Sequence, residues 1–163
     1  MSAPLEIERV YLLDRLPELP PGAVAIKIEQ GYLPDGDDVT VEGRVRRKTL
    51  PDGTRKHVHT IKKGLGLVRE ETERELTPEE FEPLWEQTAG RRILKTRYLV
   101  EVGAHTWEVD AFEDRELVMA EVELSRADEA VELPAWLAPR VQREVTEDPR
   151  YRNYALATGE TPT

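Results

Sequence analysis

At 163 residues the chain has the size of one domain and is long enough to bury most of the apolar surface that its unfolded form exposes. Hydrophobic residues make up 39% and charged residues 34%, well above the roughly 25% charged of an average domain, so charge must occupy more than the ordinary outer surface. The net charge of -10 argues against a nucleic-acid coat, and the absence of cysteine excludes disulfides, thiolate metal sites and cysteine nucleophiles.

The N-terminus, Met1-Ser2-Ala3-Pro4-Leu5-Glu6, carries no apolar signal core, and no apolar run approaches the ~20 residues of a membrane span. A soluble cytoplasmic protein is expected, with no membrane and no nucleic-acid partner. Period-two alternation then recurs along the chain, with β-branched and aromatic residues on one parity and charges on the other. It predicts eight strands, near residues 4–13, 24–33, 39–48, 56–63, 67–76, 92–102, 105–112 and 117–124. Turn signals at Leu33-Pro34-Asp35-Gly36-Asp37, Pro51-Asp52-Gly53 and Glu113-Asp114 separate them, and a short strand is expected around Gln142 to Thr146.

Helix signals are few. Thr77-Pro78-Glu79-Glu80 has a cap, a first-turn proline and the capping-box acid, after which Phe81, Leu84, Trp85 and Thr88 share a face. Pro83 is expected to kink or shorten that helix. Ser125, with Asp128 in the box position, predicts a second helix, and Asp148-Pro149 a last one carrying Tyr151, Tyr154 and Leu156. Residues 1–158 read as a single α+β domain dominated by its sheet, with 159–163 a frayed tail.

The informative feature is that charges come in pairs two residues apart, so that each pair points to one face of its strand: Glu6/Glu8, Arg44/Arg46, Glu71/Glu73, Lys95/Arg97 and Glu121/Glu123. Lys62, Arg69 and Asp110 fall on parities that join them. The opposite parity carries Ile7, Tyr11, Tyr98, Trp107, Val109, Val122 and Leu124, which should pack against helices or leave room for a homodimer. Any one such pair is ordinarily a solvated strand face. Five on successive strands instead suggest a sheet closed with its charged parity inward, around a lumen that must stay hydrated or hold ions. The three histidines, His57, His59 and His105, lack the spacing of a zinc site, so clustered carboxylates here suit a hard cation, Mg2+ or Mn2+. Clustered arginines suit phosphoryl oxygens.

At these residues the chain resembles the CYTH family of triphosphate tunnel metalloenzymes, whose opening strand carries Glu-x-Glu-x-Lys and stands here as Glu6-Ile7-Glu8-Arg9-Val10. The resemblance continues in order through Glu29-Gln30-Gly31-Tyr32-Leu33, Gly43-Arg44-Val45-Arg46, Thr60-Ile61-Lys62 and Arg69-Glu70-Glu71-Thr72-Glu73. Lys95-Thr96-Arg97-Tyr98, Trp107-Glu108-Val109-Asp110, Ala120-Glu121-Val122-Glu123-Leu124 and the closing Glu144 to Asn153 stretch complete it.

What the resemblance implies is an eight-stranded antiparallel barrel that binds a triphosphate with Mg2+ or Mn2+. Arg44, Arg46, Lys62, Arg69, Lys95 and Arg97 would hold phosphate, and Glu6, Glu8, Glu121 and Glu123 would ligate metal. Glu71, Glu73 and Asp110 would complete the acidic side, with Tyr32 and Lys62 as candidate catalytic residues. Tyr32 either orients the attacking water or packs the barrel end. The expected activity is hydrolysis of inorganic triphosphate or a small organic triphosphate. The alternatives are a class IV-type adenylyl cyclase acting on a nucleoside triphosphate and a triphosphate-binding module without turnover, since valine replaces the family lysine at position 10. Arg9 points to the other face, so a bulge or a reach from Arg150 or Arg152 would be needed to restore that charge.

Overall fold

The computed structural model describes residues 5–34, 41–64, 67–159 and 161–162. The predicted strand starts at residue 4 and at residues 39–40, the turn at Asp35-Gly36-Asp37, and Glu160 and Thr163 of the predicted tail lie outside the described residues.

Among the described residues nine strands form, each where the sequence predicts one: β1 (Leu5–Leu13), β2 (Val24–Tyr32), β3 (Val41–Thr49), β4 (Arg55–Lys63), β5 (Val68–Leu76), β6 (Arg92–Val102), β7 (His105–Phe112), β8 (Val118–Glu123) and the short β9 (Val141–Glu144). Every pairing is antiparallel, in the order β5-β4-β3-β2-β6-β7-β8-β1-β9, and a further β1–β5 pairing closes eight of the strands into a barrel. One edge of β1 is taken by β8. The other is shared, with β5 pairing at Leu5 to Ile7 and β9 at Tyr11 to Leu13. Pro51-Asp52-Gly53 turns β3 into β4: Gly53 has a φ of 87°, Asp52 accepts from the Thr54 amide at 2.9 Å, and Leu50 and Thr54 bond through their backbones.

Helix α1 (Pro78–Glu86) forms with both halves of the predicted capping box, and it continues through Pro83 to Glu86. Its buried Phe81 packs with Val45 and Leu76 on the outside of the barrel, with Leu84 and Trp85 at the margin. The helix predicted from Ser125 does not form: residues 125–128 run through bends and turns, and 129–134 have no regular structure. The carboxylate of Glu129, not Asp128, reaches the Ser125 amide at 2.7 Å, and it also binds His105. This irregular segment lays Val131, Leu133, Trp136 and Leu137 over Tyr11, Trp107, Val109 and Val122. The outer apolar parity of β1, β7 and β8 is therefore covered in part by a non-helical stretch of the same chain, where the sequence predicts a helix. The last predicted helix is split, a 3-10 turn at Pro149–Tyr151 followed by α2 (Asn153–Thr158).

Inside the barrel the inward parity changes character along its length. At one end Val10, Leu12, Tyr32, Ile93, Phe112 and Met119 form an apolar plug, sealed by Val145, Tyr151, Tyr154, Leu156 and Ala157 from the C-terminal segment. No helix among the described residues is long and apolar enough to cross a membrane.

Gly31 sits where β2 meets the turn after α1. A Cβ added there would lie 2.3 Å from Thr88 Oγ1 and 2.6 Å from its Cβ, and Thr88 is fully buried with its hydroxyl donating to the Trp85 carbonyl at 2.6 Å. The expected cost of Gly31→Ala is about 1–3 kcal/mol of stability from overpacking, measurable by urea denaturation as a lower midpoint with unchanged slope.

Candidate active site

The inward charges surround one cavity of about 620 Å³. Its acidic wall is made of neighbouring strands: Glu108 on β7, Glu121 and Glu123 on β8, Glu6 and Glu8 on β1, and Glu71 and Glu73 on β5. The facing wall carries the cations, Lys62 on β4, Arg44, Arg46 and Lys48 on β3, and Arg97 on β6. Between β3 and β6, β2 contributes the apolar Ile26 and Ile28, joined by Leu99. The cross-section is thus polar from one side to the other, because strand order sorts the two signs.

Ion pairs tie the walls together. Lys62 Nζ lies 2.8 Å from Glu6 Oε1. Arg97 grips the fully buried Asp110 with two hydrogen bonds, of 2.7 and 2.9 Å, and also binds Glu108. Behind Arg97, Lys95 is completely buried, with Nζ at 2.7 Å from Asp110 Oδ2 and 3.2 Å from Asn153 Oδ1. Burial alone would raise the Asp110 carboxyl, but the adjacent Arg97 and Lys95 hold it well below the usual carboxylate range.

The remaining charges are strained by their neighbours. Glu8 directly opposes Glu123 across β1 and β8, and Glu108 opposes Glu121 across β7 and β8, arrangements that destabilise a sheet unless a proton or cation intervenes. Burial, and then Glu121, push Glu8 well up. Burial also raises Glu121 against the pull of Arg97, and raises Glu123 together with the charge of Glu6. On the other wall, burial and the like charges of Arg44 and Arg97 disfavour the charged form of Arg46. Glu6 and Glu71 share a hydrogen bond: burial and Glu6 push Glu71 up to about 8, while Glu71 and Lys62 overcome the burial of Glu6 and bring it down to about 2.

Among the described residues no group of three or more carboxylates or imidazoles is close enough to form a ready cation cage. The carboxylates are paired across strands. An all-oxygen set of this kind fits a hard cation that takes a few protein ligands and completes its shell with water and substrate oxygens.

Of the residues singled out in the sequence, Glu6, Glu8, Arg44, Arg46, Lys62, Glu71, Glu73, Arg97, Glu121 and Glu123 line the large cavity. Arg69 and Tyr32 line a second space of about 30 Å³, which shares Glu8, Arg44, Lys62, Glu121 and Asn153 with the first and so forms its inner end. Tyr32 is fully buried there, its hydroxyl accepting from Gln30 Nε2 at 2.7 Å, while Gln30 Oε1 accepts from Arg46 Nε at 2.8 Å. Lys95 and Asp110 line neither space. They stand behind the wall, committed to each other, to Arg97 and to Asn153.

The chain is 38% identical over 158 residues to a Nitrosomonas europaea protein named inorganic triphosphatase, covering 93% of this chain and 96% of that one. The chain belongs to the inorganic triphosphatase family. A second member, from Acetivibrio thermocellus, is 32% identical over 157 residues and matches 93% of this chain and 92% of its own. The crystal structure of the inorganic triphosphatase NE1496 superposes with a TM-score of 0.64 at 34% identity, covering 96% of this chain and 99% of that one. The PH1819 protein of Pyrococcus horikoshii, 17% identical over 76% of this chain and 80% of its own with a TM-score of 0.56, shares the fold. No family model matches the chain.

In this enzyme several lining residues were not singled out in the sequence. Lys48 extends the inward row Arg44, Arg46 on β3, and Glu108 precedes Asp110 on the inward parity of β7, so simple continuation of the two-residue spacing finds both. Thr146 and Asn153 arrive from the C-terminal segment, where no strand parity announces them, alongside Arg152, one of the two arginines that the sequence offers as reaching in.

Asp110→Asn removes the carboxylate that holds two buried cations. It should cost about 3–5 kcal/mol in chemical denaturation, because Lys95 and Arg97 stay behind without it. The Glu6–Glu71 pair predicts a pH dependence in the metal-free protein. The folded state keeps a proton on Glu71 up to about pH 8, whereas the unfolded chain releases it near 4.5, the ordinary value for a glutamate. Stability therefore falls as pH rises between those two values and levels off above the upper one. Thermal melting in EDTA across that window should show the decline in the parent protein and a flatter profile in Glu71→Gln.

Proposed function

We propose that the chain is a CYTH-type triphosphate tunnel enzyme that hydrolyses inorganic triphosphate with a divalent metal in its barrel. The observation that carries the reading is the sorting of charge: a cation wall and a carboxylate wall face each other across one cavity, which suits a polyanion on one side and a hard cation on the other. The names of the two curated relatives support the same substrate.

In this reading Arg44, Arg46 and Arg97 hold the phosphoryl oxygens, offsetting the burial and the like charges of Arg44 and Arg97 that disfavour the charged form of Arg46. Lys62, fixed by Glu6, sits between the two walls and neutralises charge as the terminal P–O bond breaks. Glu8, Glu121 and Glu123, with Glu6, would hold Mg2+ or Mn2+, which supplies Lewis-acid neutralisation of phosphoryl charge. Tyr32 is held in place through the chain Arg46–Gln30–Tyr32, and orients the attacking water at the inner end. Water adds to the terminal phosphorus as the bridging oxygen leaves, so one tripolyphosphate and one water give orthophosphate and pyrophosphate. Most of the rate enhancement comes from positioning and charge neutralisation.

The test is release of orthophosphate and pyrophosphate from tripolyphosphate with Mg2+ or Mn2+, with EDTA as control. Release should require the metal. It should fall about ten- to hundredfold for each guanidinium removed in Arg44→Ala and Arg46→Ala, the effect of losing one charge-assisted hydrogen bond to the substrate. A parent protein that binds tripolyphosphate yet releases nothing would overturn the hydrolase reading.

A further inference from the structure

The cation row on β3 does not stop at Arg46. Arg44 stands opposite Tyr32 at the plugged end and borders both spaces, and Arg46 and Lys48 follow it outward along the wall of the large cavity. Successive members are ~7 Å apart along the strand, so Lys48 lies ~13 Å beyond Arg44 towards the β3–β4 turn, at the end away from the plug. On β4 the inward parity runs Lys62, Thr60, Val58, Lys56, and Lys56 stands directly opposite Lys48. Two ammoniums therefore share one face of adjacent strands at the outer end of the cavity.

Like charges placed directly opposite across an antiparallel pair destabilise the hairpin that carries them. Among the described residues neither lysine makes an ion pair or a side-chain hydrogen bond. Lys48 is half-buried beside Ile28 of β2, and burial, with the like charges of Arg46 and Arg97, disfavours its charged form against the pull of Glu73 and Glu108. Lys56 is exposed, and the β5 carboxylates stand further in, Glu75 opposite Val58 and Glu73 opposite Thr60. The chain as a whole carries a net charge of -10, which repels an approaching anion, so a local pair of cations here turns repulsion into attraction.

The inner space, of about 30 Å³, is too small for an organic substituent, so a triphosphate ester has to keep its organic group at the outer end. A free terminal phosphoryl group and an esterified one differ at that same place, because the free group offers one more anionic oxygen. Two ammoniums, each with several N–H donors, match the free group. The half-buried Ile26 and Leu99 at the same end would suit an apolar substituent instead.

We propose that the Lys48–Lys56 pair is a specificity determinant: by presenting two ammoniums to the outer end of a bound triphosphate, it selects a free terminal phosphoryl group over an esterified one. The assignment rests on the triphosphatase reading for the identity of the anion. It gives the β3–β4 hairpin a part in choosing the substrate, while Arg44 and Arg46, further in, meet phosphoryl groups that free and esterified triphosphates share. The repulsion between the two lysines in the empty site is relieved by the ligand that brings the most charge to them.

The experiment compares binding of tripolyphosphate and of ATP by calorimetry in EDTA, in the parent protein and in two double variants, Lys48→Gln/Lys56→Gln and Lys48→Arg/Lys56→Arg. The parent should bind tripolyphosphate more tightly than ATP. The glutamine variant should lose about ten- to hundredfold in affinity for tripolyphosphate and much less for ATP, so that the preference shrinks by the difference. The arginine variant should keep the preference, because it keeps both charges. Without ligand the glutamine variant should melt no lower than the parent, since it removes a repulsion and no contact. A purely structural role for the two lysines would lower the melting temperature and weaken both ligands alike. The proposal is overturned if the parent prefers ATP, if the glutamine variant loses the same factor for both ligands, or if its preference for tripolyphosphate is undiminished. Failure of the triphosphatase reading would look different: no phosphate release from tripolyphosphate by the parent protein with Mg2+ or Mn2+, whatever the two lysines contribute to the binding preference.

Discussion

The structure depends on a short seam. Three residue pairs between β1 and β5, Leu5 with Glu70, Glu6 with Arg69 and Ile7 with Val68, turn a curved sheet into a closed barrel. Beyond Ile7 the two strands part, and the gap is filled by the Leu67 carbonyl, the Val145 amide and the Thr146 hydroxyl, and then by β9. Closure removes the open edges that a nine-stranded sheet would expose. It also converts one charged face into a lumen, where every charge must find an opposite charge, a proton or an ion.

Strand order decides how that demand is met. Acids on β7, β8, β1 and β5 are contiguous around the wall, so like charges face each other across strands at Glu8–Glu123 and Glu108–Glu121. Among the described residues Lys62–Glu6 and the Arg97 network neutralise part of that charge. A barrel optimised for stability alone would alternate the two signs around its circumference. Segregating them instead leaves stored repulsion on both walls, which ligands of opposite charge on each side would relieve.

The strands were legible because period two survives the closure: each charged pair that faces the lumen sits on the parity that its spacing gave it. Register was not legible. Lys95 and Asp110 have inward parity, yet the offset between β6 and β7 sets Asp110 opposite Arg97 and within reach of Lys95, so both are spent behind the wall. The inner plug was also hidden, because Val10, Leu12, Met119 and Phe112 occupy the charged parity and read only as interruptions of it. At Ser125 the capping pattern misled because a longer side chain, Glu129, satisfied the amide that a helix would have used. The apolar residues after it then spread over a sheet face too wide for one helical stripe.

Among the described residues an apolar plug fills one end of the chamber. A chain-shaped guest that enters end-on from the other side withdraws its deepest part last. If the guest is cut near its inner terminus, the outer fragment stands between the inner one and solvent. Departure is then ordered by position in the queue and not by affinity alone, and a high external concentration of the outer fragment would hold the inner one captive.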